Sequence, residues 1–217
     1  MRVRKKKNGA ARLAACGELF CQKTDTPRTD SSADFGRVAE TRLEIGCGKG
    51  GFACAMAARE QDVNFYALER VNDVIMLAAE RAKADAANRP SDNLRFILAG
   101  ADDLPALFAE GTLDVIYLNF SDPWPKKGHA KRRLTHRRYL EIYFSLLRSG
   151  GMLRLKTDNV GLFDFTLEEL EALGITPEFI TRDLHSTPEA ADNIMTEYDC
   201  HFYELGTPIC SLWVTKK

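Results

Sequence analysis

From residue 41 onward the chain alternates apolar runs of strand length with longer amphipathic runs of helix length, and this pattern leaves few folds open. TRLEI (41–45), VNFYAL (63–68), LRFIL (94–98), LDVIYLNF (113–120) and MLRLKT (152–157) read as strands. Between them FACAMAARE (52–60), VNDVIMLAAERAKADAAN (71–88), ADDLPALFAE (101–110), THRRYLEIYFSLLRS (135–149) and VGLFDFTLEELEAL (160–173) read as helices. Gly150-Gly151 closes the fourth helix and Gly174 ends the fifth. EFITRDL (178–184) and ICSLWVT (209–215) read as late strands. Such alternation predicts an α/β fold with an open, mostly parallel sheet and helices on both faces. Right-handed crossovers put the carboxyl ends of the strands on one edge, where ligands of such sheets bind. Residues 1–36 read as a basic, partly irregular arm with a short helix over 10–21, and 37–217 as a single domain. The stretch 185–208 reads as a long loop, of a size that is often functional.

The 217 residues suit one α/β domain, and 45% hydrophobic with 28% charged content is ordinary for a globular protein. No apolar run approaches the roughly 18 residues a membrane span needs. MRVRKKK is basic but no apolar core follows it, so it does not read as a secretory signal. Six cysteines without a C-x-x-C pair read as reduced, mostly buried thiols of a cytoplasmic protein. Charge is near balance overall but strongly segregated. Residues 1–12 hold Arg2, Arg4, Lys5, Lys6, Lys7 and Arg12, and residues 126–138 hold Lys126, Lys127, Lys131, Arg132, Arg133, Arg137 and Arg138, with no acid in either run. These are 13 of the 30 basic residues, leaving 17 against all 31 acids. Two such runs can steer a polyanion to one face, or each can be a solvated basic face.

LEIGCGKGG (43–51) is a strand running into a glycine-rich turn and a helix. Gly46, Gly48 and Gly51 fit the dinucleotide pattern G-x-G-x-x-G, a weak signal by itself. Glu69 ends the second strand, where an acid is placed to accept bonds from ribose hydroxyls; the alternatives are a salt bridge to Arg70 or a helix N-terminal charge. Glu44 separates two cofactors. A carboxylate aimed at the turn would repel the pyrophosphate of NAD but suits the cationic amino-acid end of S-adenosylmethionine (SAM). Its alternative is an outward-facing strand residue paired with Arg42.

After the fourth strand comes NFSDPWPKKGHAKRRL (119–134). Pro123 and Pro125 stiffen a turn that presents Asp122 and Trp124, and the lysines and arginines beyond it suit phosphates. Trp124 either stacks on a base or packs under the loop. His129 and His136 lie within this charge and read as RNA-contacting or solvated. With His185 and His201 they lack metal-ligand spacing, so no metal is expected.

LEIGCGKGGF, YALER, NFSDPWPKKGHAKRRL, LKTDNVGLF and NIMTEYDCHFYELGTPI together resemble the successive motifs of the bacterial tRNA (guanine-N7-)-methyltransferases, in order from about residue 41 to the C-terminus. MRVRKK is similar to that family's N-terminus. The resemblance implies a Rossmann-like seven-stranded methyltransferase sheet, parallel except for the last strand. It implies SAM-dependent methylation of N7 of guanosine 46 in the tRNA variable loop. By motif position, Glu44, Gly46, Gly48, Glu69, Gly100 and Asp122 are implied SAM contacts. Asp122 is the implied catalytic residue, and Lys126, Asp158, Thr196, Glu197, Tyr198 and Asp199 are implied substrate contacts. Gly100 stands where many relatives carry Asp or Asn, which leaves a backbone contact there, and Gly128 stands where Arg is common. The partner is then tRNA, with no membrane and no metal, and the enzyme a monomer or homodimer. Three other readings stay open at this level: an NAD(P)-dependent oxidoreductase, a non-catalytic RNA-binding protein on a methyltransferase scaffold, and a SAM-dependent enzyme with another acceptor, such as DNA or a small molecule. Asp158 has a further alternative, as N-cap of the helix over 160–173.

Overall fold

The structure, a computed structural model, describes residues 7–21, 24–86 and 92–217. Arg2, Arg4, Lys5 and Lys6 of the basic arm, residues 22–23, and the last two residues of the helix expected over 71–88 lie outside the described residues. The chain divides into two compact units, Met1–Ala109 and Glu110–Lys217. Its helices are α1 (Gly9–Ala14), α2 (Ser32–Phe35), α3 (Gly51–Arg59), α4 (Asn72–Ala86), α5 (Leu104–Leu107), α6 (Arg137–Leu146), α7 (Val160–Ala172) and α8 (Glu197–Glu204). Its strands are β1 (Thr41–Ile45), β2 (Asn64–Glu69), β3 (Leu94–Leu98), β4 (Leu113–Asn119), β5 (Leu147–Thr157), β6 (Phe179–Thr181) and β7 (Cys210–Thr215). They form one seven-stranded sheet in the order β3-β2-β1-β4-β5-β7-β6. β7 runs antiparallel to both β5 and β6, whereas β1, β2 and β3 pair in parallel and so do β4 and β5. The expected sheet, parallel except for its last strand, is the one observed.

In the first unit β2 is buried almost throughout, with Phe65, Tyr66, Ala67 and Leu68 all at 2% exposure or less. A parallel strand covered on both faces requires this. The loop between β1 and α3 closes on α4. Gly50, at φ +76°, leads into α3, and a Cβ there would lie 2.8 Å from the Ala78 Cβ. Only glycine accepts both the left-handed backbone and that approach.

The amino-terminal segment is more ordered than its composition suggests. The helix expected over 10–21 stops at Ala14, ahead of Gly17, and a single 3₁₀ turn (Gly17–Leu19) follows. Phe20 then bridges to Phe96 of β3 and Arg28 to Phe108. Arg12 makes a bidentate pair with Glu80 of α4, both bonds 2.7 Å. Arg28 and Asp34 form a buried ion pair at 2.5 Å, and the Tyr66 hydroxyl donates to Asp34 at 2.8 Å. Burial, reinforced by that bond, pushes the Tyr66 hydroxyl's pKa up.

In the second unit the helix expected over 135–149 is shorter. α6 begins at Arg137, because His136 Nδ1 accepts the Arg138 amide and caps it. It ends at Leu146, where the chain turns directly into β5. Gly150-Gly151 therefore lies inside a strand and does not close a helix. The pairing of β4 with β5 jumps from Leu113↔Leu147 to Val115↔Met152, an irregularity in which Gly150 takes φ +78°. A Cβ on Gly151 would stand about 3.0–3.1 Å from the carbonyl oxygens of Arg148, Asp114 and Leu113. The glycine pair thus serves close backbone packing in a bulge. The long loop expected over 185–208 also differs, since it contains α8.

Candidate active site

In the first unit the carboxyl ends of β1, β2 and β3 are tied together through the backbone. The amides of Gly46 and Cys47 donate to the Leu68 carbonyl at 2.8 and 2.9 Å, and the Ala99 amide donates to the Glu69 carbonyl at 3.2 Å. Gly46, Gly48 and Gly50 all take positive φ, at +79°, +57° and +76°. Glu69 joins this loop to the helix that follows it. Its Oε2 accepts the Gly48 amide at 3.3 Å and its Oε1 the Val71 amide at 2.9 Å. The helix-terminus role therefore holds for Glu69, alongside a contact to the glycine loop. A carboxylate offers about four acceptor positions, so two amides do not exhaust it. Glu44 is 3% exposed, which removes the outward-facing alternative; Arg42 reaches Glu40 and Glu60, at 2.7 and 2.8 Å. Gly100 stands two residues beyond the end of β3, and its amide donates to Asp103 Oδ2 at 2.8 Å. A backbone contact from Gly100 to a ligand competes with that cap.

In the second unit β4 runs out into a strained loop. Phe120 (φ +50°) and Trp124 (φ +41°) are bulky residues in the left-handed region, on either side of Ser121-Asp122-Pro123. Such conformations cost about 1–3 kcal/mol each and persist only where the surroundings enforce them. Here the enforcement is visible. Phe120 donates its amide to the Lys156 carbonyl at 2.9 Å, and its ring stacks on Tyr198 (5.7 Å) and Phe202 (6.1 Å) of α8. Arg133 donates from Nε to the Pro123 carbonyl at 3.0 Å and from Nη2 to the Trp124 carbonyl at 3.1 Å, with its guanidinium 4.3 Å from the Phe165 ring centre. Asp122 is exposed at the crest of this loop.

The basic run divides by task. Arg133 clamps the loop, and Arg137 grips the buried Glu169 carboxylate through its backbone amide, Nε and Nη2 at 2.6, 3.0 and 2.8 Å. These contacts hold the Glu169 carboxyl's pKa below its ordinary value. Lys126, Lys127, Lys131 and Arg132 remain exposed, the last with its guanidinium 5.0 Å from the Trp124 ring. Trp124 is half-buried between Arg132 and His129. His136, expected to be solvated or to touch RNA, is the cap of α6.

Asp158 follows the end of β5 and is half-buried, and the cap of α7 falls to its neighbour Asn159, whose side chain accepts the Leu162 amide at 2.8 Å. The run from Thr196 to Asp199 is the first turn of α8. Thr196 Oγ1 accepts the Asp199 amide at 3.0 Å, and Asp199 Oδ2 accepts the Thr196 amide at 2.8 Å. Asp199 is fully buried and pairs with the Lys156 ammonium at 2.7 Å. Glu197 and Tyr198, by contrast, are exposed. Lys156 is the residue that sequence reasoning missed; its signal was a cation inside the apolar strand MLRLKT. Among the described residues no cluster of His, Cys, Asp and Glu could hold a metal ion, and no helix is long and apolar enough to cross a membrane.

Residues 39–212 match a family model described as "Putative methyltransferase". The tRNA (guanine-N(7)-)-methyltransferase of Limosilactobacillus reuteri is 38% identical over 98% of each chain. Those of Mesoplasma florum and Brevibacillus brevis are each 44% identical, over 80% and 81% of this chain and 80% of their own. Among solved structures, an antibiotic-related methyltransferase superposes with a TM-score of 0.62 at 14% identity, covering 89% of this chain and 98% of that one. The 16S rRNA methyltransferase KamB also gives 0.62, at 15% identity over 88% and 95% of the two chains. At that identity these two speak for the fold alone. The matched motifs, the glycine loop and the strained Asp-Pro-Trp-Pro turn follow one another along the chain, which belongs to the tRNA (guanine-N(7)-)-methyltransferase family.

Proposed function

We propose that the protein transfers a methyl group from SAM to N7 of guanosine 46 in the variable loop of tRNA, in the cytoplasm. The reading is carried by the Asp122 loop: an exposed carboxylate on a turn of fixed, strained geometry, followed by exposed cations. SAM, when bound, supplies an electrophilic methyl carbon on a sulfonium. The residues of the first unit fit that group. Glu44, almost fully buried in β1, places a carboxylate near a turn lined with backbone amides, which favours a cationic amino acid and disfavours a pyrophosphate. Gly46 and Gly48 leave two positions of the turn without side chains, Glu69 retains acceptor positions for two ribose hydroxyls, and Gly100 borders the base.

N7 of guanine carries an in-plane lone pair and no proton, so the reaction needs alignment more than a strong base. Good alignment alone can be worth several kcal/mol, up to about 7–11 in the best intramolecular cases. Positive charge arrives on the purine as the methyl transfers, and Asp122 stabilises it electrostatically or orients the base. Asp158 or Glu197 accepts from the guanine N1–H and N2–H₂ edge, Tyr198 lies against the substrate, and Lys126 neutralises a phosphate. Thr196 and Asp199 act by holding the α8 turn that presents Glu197 and Tyr198.

The test is incubation with methyl-labelled SAM and unmodified tRNA, followed by mapping of the labelled nucleotide. Label at the variable-loop guanosine, absent when adenosine replaces it, is the expected result. Label elsewhere, or a protein that binds tRNA and transfers nothing, contradicts the proposal.

A further inference from the structure

We infer that Lys156 is a positioning residue for the substrate, the post that sets the α8 turn in register with the Asp122 loop. Its ammonium is buried and reaches three partners on the segment leading into α8: Asn193 Oδ1 at 2.9 Å, the Ile194 carbonyl at 2.8 Å and Asp199 Oδ2 at 2.7 Å. On its other side its carbonyl accepts the Phe120 amide at 2.9 Å, and the ammonium lies 5.8 Å from the Phe120 ring centre. Phe120 stands two residues before Asp122, and its ring stacks on Tyr198 at an interplanar angle of 22°. One residue thus meets both elements: its backbone carbonyl holds the left-handed start of the loop, and its side chain lies against the Phe120 ring and fixes the turn carrying Glu197 and Tyr198.

A plain stabilising role accounts for this poorly. A buried ion pair costs so much desolvation that apolar replacements of similar volume often match its stability. What the Lys156–Asp199 pair supplies is one discrete arrangement: three directional bonds that a slipped α8 could not make together. Asp199 Oδ2 also accepts from both Thr196 groups, so the same oxygen closes the cap and meets the lysine. Tyr198, 61% exposed on this turn, owes its placement to that bond and to Phe120.

The inference rests on the proposed methyl transfer to tRNA, and its test is a coupling between substitutions. In the wild-type background, Tyr198→Ala removes a stacking contact and should raise the tRNA KM about tenfold. Lys156→Met combined with Asp199→Asn neutralises the pair while keeping a capping side chain. This variant should retain SAM binding and a cooperative melt, yet raise the tRNA KM by a similar factor. Adding Tyr198→Ala to it should then cost less than about twofold, because the ring is already misplaced. A full tenfold cost in that background, or an unchanged tRNA KM in the paired variant, overturns the inference. Should the paired variant fail to melt cooperatively, Phe120→Leu, which leaves both buried charges in place, must show the same loss of the Tyr198 effect, and a full effect there is equally fatal. Wild-type protein that methylates tRNA while the coupling is missing refutes only this inference; wild-type protein that transfers no methyl to guanine refutes the function itself.

Discussion

Arg133 Nε lies 3.0 Å from the carbonyl oxygen of Pro123, the residue that follows Asp122. With a second bond to Trp124 and the Phe165 ring beneath it, this guanidinium holds the carboxylate-bearing loop in a backbone conformation it would not adopt alone. Lysine offers a point charge in place of a planar fork and cannot span two carbonyls in the same way. Arg133→Lys should lower kcat by about tenfold to a hundredfold with SAM affinity unchanged, since small misplacements of a reacting group are costly. Steady-state kinetics beside a SAM titration separate the two effects.

In the proposed reaction Asp122 stabilises the charge that develops during transfer. Removing one such electrostatic interaction typically costs a factor of about 10²–10³ in kcat. Asp122→Asn should show a loss of that order with only a moderate change in SAM affinity. A variant with wild-type kcat would remove Asp122 from the reaction.

The exposed lysines should contribute to affinity and to its dependence on salt. Replacing Lys126, Lys127 and Lys131 together by alanine should flatten the slope of log affinity against log salt by about 2–3, at roughly 0.7–0.9 for each phosphate no longer neutralised. Filter binding of tRNA across a salt series reads this directly. Substituting Arg137 should leave the slope alone, because its guanidinium is engaged by Glu169.

Glu169 offers a test of stability against pH. Arg137's side chain, then its amide, lower the carboxyl below its ordinary value of 4.5. A carboxyl depressed in the folded state contributes stability above the unfolded value and loses it as pH falls through the folded one. Glu169→Gln should therefore destabilise by about 1–3 kcal/mol at neutral pH, the range for hydrogen bonds to a charged group. The gap from wild type should narrow below about pH 4. Thermal melts at pH 7 and pH 3.5 check both statements.

Gly50→Ala tests the closure of the glycine loop on α4. The left-handed backbone alone costs about 1–3 kcal/mol, and the new methyl would meet Ala78 as well. A lowered melting temperature with weakened SAM binding is expected.

How much of this could be read in the sequence follows from where the determining forces are local. β1 and β3 were legible to the residue because TRLEI alternates polar and apolar residues from Arg42 up to Gly46 and LRFIL is apolar but for Arg95. The passage from α6 to β5 was not. Leu146-Leu147 continues the helical apolar pattern, and only pairing with Leu113 makes the second leucine a strand residue. α8 was hidden because the capping box at Thr196 draws support from Lys156, far away in sequence. The glycine loop, Glu69 and Asp122 announced themselves through unusual residues at strand ends. The roles of Arg133, Phe120 and Lys156 did not, since each depends on a partner that only the fold supplies.

The sharpest test replaces a single atom of the substrate. A tRNA carrying 7-deazaguanosine at position 46 keeps the shape and the N1–H and N2–H₂ edge of guanosine but has a C–H where N7 would attack. Incubated with labelled SAM, it should bind with near-normal affinity and acquire no label at that nucleotide. Label incorporated there as in unmodified tRNA would contradict the claim that this protein presents guanine N7 to the methyl donor.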